Sequence, residues 1–109
     1  MTAMATAELD ELWSAVADPT RRRVLDAILE RGEATATMVA GELPVTRQAV
    51  VKHLAVLDRA GLVQSRRAGR EVRYTVRTEP LGETARWMTG LASQWDARLA
   101  AIKRIAEEG

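Results

Sequence analysis

Residues 44–77 constrain the fold more than any other part of the chain. Thr46 is a residue type that caps helices. The apolar residues that follow it repeat at the spacing of one helix face: Val50, Leu54 and Leu57. Gly61 is a natural stop for that helix. Two alternating runs come next, residues 62–67 and 71–77, joined by the turn 68–70. The stretch therefore predicts a helix, a tight turn and a β-hairpin.

Positive charge is concentrated in the predicted hairpin. The whole chain has a formal net charge of +1, yet residues 62–77 contain five Arg and one Glu. Residues 1–17, in contrast, carry three acidic residues and no basic one. A local basic patch on a nearly neutral body is typical of proteins that bind the phosphate backbone of a nucleic acid.

Composition excludes several other classes of function. The length of 109 residues suits one domain, and 47% hydrophobic residues supply a core. Without Cys there is no disulfide, thiolate metal site or cysteine nucleophile, and the single His53 cannot build a His-rich metal site. No catalytic spacing, phosphate-binding Gly-rich loop, secretory signal or long apolar run stands out. We therefore expect a non-enzymatic, cytoplasmic protein with no cofactor, no metal and no membrane segment.

Three further helices are predicted ahead of this stretch. The first spans 8–17, and the second spans 19–31 with Asp18 as its cap. The second helix is predicted to bury Val24, Leu25, Ile28 and Leu29. The third begins at either Thr35 or Thr37, which the pattern does not separate, and ends before the proline that precedes the next helix.

A long last helix, residues 79–107, carries a heptad pattern. Its apolar residues recur at intervals of seven, as Leu81, Met88, Trp95 and Ile102 and as Ala85, Ala92, Leu99 and Ala106, with Gly90 as an interruption. A helix of about 42 Å is too long for so small a body to cover. We therefore expect a homodimer in which the first helix joins the seam. The predicted interface residues are Leu9, Leu12, Trp13, Leu81, Met88, Trp95, Leu99 and Ile102.

These elements predict one winged helix-turn-helix domain over residues 1–109, mainly α with a small β-hairpin. Residues 18–77 form its three-helix core and wing, and the two terminal helices serve dimerisation. In such a fold one helix enters a DNA major groove while the wing contacts the adjoining backbone. The predicted DNA-binding residues are Thr46, Arg47, Gln48, Val51, Lys52 and His53 on the helix and Arg66, Arg67, Gly69, Arg70 and Arg73 in the wing.

Alternatives exist for these features. A polar helix face is often merely solvated, and charge keeps an edge hairpin soluble. Mixed signs would serve solubility better than four Arg with one Glu, so the wing favours phosphate contact. The run 21–23 offers local pairing or one phosphate contact, and His53 offers structural support or a phosphate contact. Two other functions stay open: a winged helix that binds protein instead of DNA, and a sensor with a small-molecule pocket near Trp87 and Trp95.

Three segments in order, DPTRRRVLDAIL, VTRQAVVKHLAVLDRAGLV and RRAGREVRYTV, resemble the arsenical-resistance-repressor (ArsR) family of bacterial winged helix-turn-helix repressors. The likeness is strong over residues 8–77. It implies a homodimer that binds double-stranded DNA at a palindromic operator and represses transcription, often of its own operon.

The resemblance has two departures. Val51 stands where many members carry Ser, which implies an apolar contact in place of a hydrogen bond. Metal-sensing members use Cys in the third helix or His and acids in the last helix. Here the third helix reads TATMVAGEL and the last helix has no His. The stretch WDARLAAIK resembles a metal-independent branch, and no effector is implied.

Overall fold

The computed structural model describes residues 6–108, and within them it contains five helices and three short strands. In chain order they are α1 Thr6–Ala17, α2 Pro19–Arg31, β1 Ala34–Thr35, α3 Ala36–Glu42, α4 Arg47–Arg59, β2 Val63–Ala68, β3 Glu71–Val76 and α5 Glu79–Glu108. The mainly helical fold with a hairpin wing is confirmed. Predicted and observed bounds differ by a few residues at most. In the described part of the chain, no helix combines the length and apolarity needed to cross a membrane.

The sheet has one strand more than the predicted hairpin. Its order is β1–β3–β2, and both pairings are antiparallel. In β1, Ala34 pairs with Tyr74 and Thr35 pairs with Arg73. The wing is therefore tied to the connection between α2 and α3, and it is not an isolated ribbon.

The core lies between α1, α2, α3, α4 and the base of the sheet. Its largest fully buried side chains are Leu12, Val24, Ile28, Val39, Val50, Leu54, Leu57 and Leu62. The prediction for Leu29 is wrong, because this side chain is 55% exposed and Ala27 is buried instead. Successive helical residues turn by about 100°, which carries Leu29 past the edge of the buried stripe and brings Ala27 inside it.

Short polar side chains set where α2 and α3 begin. The Asp18 carboxylate accepts hydrogen bonds from the backbone N–H groups of Thr20 (2.8 Å) and Arg21 (3.2 Å). At α3, Thr35 Oγ1 accepts from the N–H of Met38 at 3.1 Å, so Thr35 and not Thr37 is the cap. Both arrangements satisfy donors that a helix start leaves without an intrahelical partner.

Two arginines of the run 21–23 close the end of α1. Arg21 donates from Nε to the carbonyl of Ala15 (3.0 Å) and from Nη2 to that of Ser14 (2.7 Å). Arg22 donates from Nη1 to the carbonyl of Val16 at 2.5 Å. Cations at a helix C-terminus are favourable because the last carbonyls carry partial negative charge. Local pairing is therefore the role of Arg21 and Arg22, and Arg23 is exposed.

A left-handed glycine turns the chain from α4 into the sheet. Gly61 has φ +74°, its N–H donates to the carbonyl of Asp58, and the N–H of Leu62 donates to that of Leu57, both at 2.9 Å. This is the hydrogen-bond pattern of a Schellman ending, for which glycine is favoured. The turn contacts the start of α5, since a Cβ on Gly61 would lie 3.5 Å from Pro80 Cγ.

Most of α5 extends away from the body. Thr84 is its one buried residue among those described, and Trp87 and Leu91 are half-buried. The molecule measures 70 × 29 × 23 Å, which reflects a helix of about 45 Å projecting from a small core. The heptad residues Leu81, Met88, Trp95, Leu99 and Ile102 are all exposed. The helix continues through Gly90.

The first helix contributes less to that exposed surface than expected. Trp13 is 43% exposed and Leu9 is half-buried. Leu12 is only 2% exposed, so its side chain packs in the core of its own chain. The expectation that Leu12 faces a partner is corrected accordingly, because the α1 face that carries it is already covered by the rest of the domain.

Candidate nucleic-acid interface

Helix α4 presents one face to the core and one to solvent. Its apolar stripe, Val50, Leu54 and Leu57, is buried. Gln48 and Lys52 are exposed on the outer side, together with Val51, whose side chain is 41% exposed. The sequence had predicted this division. It leaves an amide, an ammonium and an apolar side chain available to the edges of base pairs.

The first residues of α4 have partners within the chain. Thr46 caps the helix by accepting a hydrogen bond at Oγ1 from the N–H of Ala49 (3.1 Å). Arg47 donates from Nε to Thr37 Oγ1 of α3 at 3.1 Å. The guanidinium of Arg47 is therefore oriented by α3, while its remaining donors stay exposed. Thr37 does not cap α3; its hydroxyl instead holds the Arg47 guanidinium in position.

His53 lies close to the start of α2. It is half-buried, and it is within electrostatic reach of the Asp18 carboxyl. The pKa of Asp18 is lowered mainly by the backbone N–H of Arg21, and the N–H of Thr20 and the charges of Arg21 and His53 act in the same direction. This position is compatible with both predicted roles of His53, structural support and a phosphate contact.

The tip of the wing is a two-residue turn. Ala68 pairs with Glu71, which leaves Gly69 and Arg70 as the loop. Gly69 has φ +64°, and Arg70 does not have a positive φ. These signs fit a type II′ turn, which needs glycine first and matches the twist of a hairpin. The glycine therefore shapes the tip that carries Arg70.

The four wing arginines differ in their partners. Arg67 and Arg70 are exposed, and the described residues provide neither guanidinium with an ion pair. Arg66 instead donates from Nε and Nη2 to the two carboxylate oxygens of Glu33, at 2.8 and 2.7 Å. Arg73 has its Nη1 3.6 Å from Glu33 Oε1 and its Nη2 2.9 Å from Glu71 Oε2. Two arginines are thus held by acids and two are available.

The Glu33–Arg66 pair also shifts the pKa of both groups. The pKa of the Glu33 carboxyl is lowered, first by the hydrogen bonds from Arg66 and then by the charges of Arg66 and Arg73. The pKa of Arg66 is raised by the same carboxylate. Sequence reasoning missed Glu33, because it precedes β1, a strand with no local signal, and lies 33 positions from Arg66.

No metal centre is apparent within residues 6–108, where no three acidic or His side chains are grouped to hold an ion. Among the clefts on the described part of the chain, two lie between helices of the core. One of about 250 Å³ lies between α1 and α4, lined by Asp10, Glu11, Ser14, Val56 and Arg59. The other, of about 230 Å³, lies between α2 and α3.

These features define a class: a winged helix-turn-helix protein in which α4 exposes a polar face and the wing is basic. Comparison with known proteins agrees. A helix-turn-helix domain family matches residues 16–66. The chain is 41% identical over 78 residues to the HTH-type transcriptional regulator YuzN of Bacillus subtilis, covering 66% of this chain and 85% of that protein. It is 28% identical to the transcriptional repressor SdpR of the same organism, over 81% and 97% of the two chains.

A solved structure narrows the class to a family. An ArsR-like transcriptional regulator from Rhodococcus sp. RHA1 superposes with a TM-score of 0.83 at 45% identity, covering 92% of this chain and 93% of that one. The chain belongs to the ArsR-like family of winged helix-turn-helix transcriptional regulators. It is accordingly a DNA-binding transcriptional regulator.

Proposed function

We propose that the chain is a homodimeric repressor that binds a palindromic operator and acts in the cytoplasm without catalysis, metal or other cofactor. The proposal rests on one observation. Helix α4 exposes its polar face, and the wing that follows it in the chain has two arginines, Arg67 and Arg70, with no acidic partner among the described residues. A relative named a transcriptional repressor supports the direction of control.

Helix α4 is proposed to read sequence. Gln48 is able to bind an adenine through two hydrogen bonds, and Val51 suits the methyl group of a thymine. Lys52 and the α3-oriented Arg47 add donors for guanine or for phosphate oxygens. Thr46 and His53 lie at the margin of this face, where a backbone phosphate would meet them.

The wing is proposed to bind the backbone beside each half-site. Phosphate contacts fix orientation without reading sequence, and each releases counterions. Arg67 and Arg70 have the free guanidinium groups that this contact requires, and Gly69 shapes the turn between the strands. Affinity for DNA is therefore expected to fall steeply as salt rises.

The exposed seam of α5 is proposed to pair with a second copy. Leu99 and Ile102 are 63% and 61% exposed in the single chain, which is costly for apolar side chains unless a partner covers them. A two-fold dimer would place its recognition helices in successive major grooves about 34 Å apart. A palindromic operator follows from that symmetry.

Titration of labelled DNA with matched variants tests this proposal. The DNA is the region upstream of the chain's own gene, alongside a random duplex. Arg70→Ala is expected to weaken binding to both DNAs alike and to reduce the salt slope by about 0.9 per wing. Gln48→Ala is expected to lose about 1–3 kcal/mol of discrimination at particular base pairs. Arg104→Ala, which removes the same charge from the exposed end of α5, serves as the control.

Two results would contradict the proposal. If a folded dimer shifts neither DNA at low salt, the winged helix binds another protein instead. If Arg70→Ala matches Arg104→Ala in affinity and salt slope, the wing does not contact the backbone.

A further inference from the structure

Two arginines face each other across the hairpin. In the β2–β3 register Arg66 lies directly opposite Arg73. Like charges in that position repel, and such a pair is destabilising unless something neutralises it. Glu33 does so from the connection before β1, with contacts of 2.7 Å to Arg66 Nη2 and 3.6 Å to Arg73 Nη1. The carboxylate thus bridges the two strands from outside the hairpin.

The contact also uses the donors with which an arginine binds phosphate. Arg66 presents Nε and Nη2 to Glu33 as a two-pronged fork, the same geometry that recognises phosphate. Arg73 has Nε and Nη2 directed at Glu71 Oε2, at 3.1 and 2.9 Å. For either arginine to bind DNA in this way, it must first exchange its carboxylate for a phosphate.

The other two wing arginines are placed differently. Arg67 is the next residue along β2, so its side chain points to the opposite face of the sheet from that of Arg66. Arg70 is in the turn. Neither has an acidic side chain within ion-pair distance in the described part of the chain. Strand alternation and the position of Glu33 therefore separate the wing arginines into two pairs. Arg66 and Arg73 are paired with carboxylates, and Arg67 and Arg70 are not.

We propose that Glu33, assisted by Glu71, withholds Arg66 and Arg73 from DNA phosphates, so that the wing holds the backbone through Arg67 and Arg70 alone. Glu33 is then a positioning residue that limits sequence-independent affinity. This proposal rests on the proposed DNA binding. Such a limit is useful to a regulator, because each added phosphate contact strengthens binding to the vast excess of non-operator DNA.

The test is the salt dependence of binding to a random duplex. Each added phosphate contact steepens the slope of log K against log salt by about 0.9. Glu33→Gln is expected to steepen it by about that amount per wing, because Arg66 is released while Arg73 remains with Glu71. Between 50 and 200 mM salt, this is an additional loss of affinity of about 3.5-fold per wing. The double variant Glu33→Gln, Glu71→Gln is expected to steepen the slope by about 1.8 per wing relative to the wild type, because Arg73 is then released as well.

Two matched variants complete the design. Glu42→Gln removes the same charge and releases Arg31 at the end of α2, outside the wing, so it is expected to leave the slope unchanged. Arg66→Ala is also expected to leave the slope unchanged, whereas Arg67→Ala and Arg70→Ala each lower it by about 0.9 per wing. Should Glu33→Gln fail to fold, the comparison of these arginine variants still decides the question.

Nuclear magnetic resonance of the arginine Nε–H groups gives a readout that does not depend on the slope. The Arg66 and Arg73 signals are expected to be protected in the free protein and to keep their shifts when DNA is added, while those of Arg67 and Arg70 move. If Arg66→Ala flattens the slope as much as Arg70→Ala, or the Arg66 signal moves with DNA, the proposal is overturned while DNA binding stands. If the wild-type chain binds no DNA, both proposals fall together.

Discussion

Arg21 and Arg70 carry the same charge but meet different surroundings. Arg21 has a side chain that is 16% exposed and directed at the carbonyls that end α1. Arg70 stands in a solvent-exposed turn. Arg66 is intermediate, exposed but paired with a carboxylate. The partners of each guanidinium, more than the number of arginines, therefore decide which part of the basic patch is available to DNA.

Glu33 offers a pH-dependent test at the scale of one residue. Its pKa is lowered in the folded chain, first by the hydrogen bonds from Arg66, whereas the unfolded chain lacks these hydrogen bonds and leaves the carboxyl at its ordinary pKa. A carboxyl with a lowered folded pKa stabilises the fold above its unfolded pKa, and the stabilisation is lost as pH falls through the folded pKa. We expect the thermal stabilities of wild type and Glu33→Gln to differ at pH 7 and to converge below the folded pKa.

The direct measurement is the ¹³C shift of the Glu33 carboxyl during acid titration. Arg66→Ala is the control, and it is expected to bring the pKa of Glu33 back toward its ordinary value. An unshifted Glu33 in the wild-type chain, or a shift of undiminished size in Arg66→Ala, would rule out this pair as the main cause; a smaller remaining shift is expected from Arg73.

At the scale of the element, Arg21 and Arg22 join the end of α1 to α2, and Arg21 makes two of the three hydrogen bonds. Arg21→Ala removes charge-assisted hydrogen bonds to two carbonyls, so we expect it to lower the free energy of unfolding by about 1–3 kcal/mol. Arg23→Ala alters an exposed arginine of the same helix, and it is expected to change the free energy of unfolding by less than about 0.5 kcal/mol. Urea unfolding at one fixed protein concentration is the measurement, because a dimer's stability depends on concentration. Equal stabilities of the two variants would show that α1 is held without Arg21.

Elements with local signals were predictable. Asp18 and Thr46 are caps whose side chains act on the next few residues, and Gly61 is a left-handed ending of α4. The hairpin follows from two alternating runs and a glycine at the turn. These features depend on interactions a few positions apart, so the sequence shows them directly.

Elements set by distant contacts were not predictable in the same way. Ala34 and Thr35 form a strand because the free edge of β3 pairs with them about 40 positions later. Glu33 became part of the site only because that pairing brings it beside Arg66 and Arg73. Periodicity alone predicted which face of α4 is exposed. Which wing arginines are paired with carboxylates could be seen only from the register of the sheet.

At the scale of the whole molecule, the shape and the exposed apolar surface both support the proposed homodimer. The 70 Å length arises because α5 projects beyond the core with its heptad face uncovered. Half-burial of Trp87 and Leu91 shows which side of α5 is turned toward its own domain. Trp95 follows Leu91 by four residues and therefore lies only about 40° from it around the helix, but it lies further along α5, beyond the part that contacts the core. Packing of the helix onto its own core and pairing with a second copy are therefore compatible.

Leu99→Asp tests whether pairing along that seam forms the DNA-binding dimer. A charge at a buried seam position is costly because it loses hydration, so the variant is expected to sediment as a monomer where the wild type sediments as a dimer. Ala97→Asp is the matched control, since Ala97 is exposed and lies outside the heptad seam. It is expected to remain dimeric with unchanged affinity.

Loss of the dimer should also appear in operator binding. A dimer engages its second half-site at a high effective concentration, so the Leu99→Asp monomer is expected to bind the operator at least about tenfold more weakly. Its salt slope should be about half that of the wild type, because one wing and one recognition helix remain in contact. A monomer that kept both the affinity and the slope would show that a single domain suffices. A Leu99→Asp chain that stayed dimeric would place the interface elsewhere.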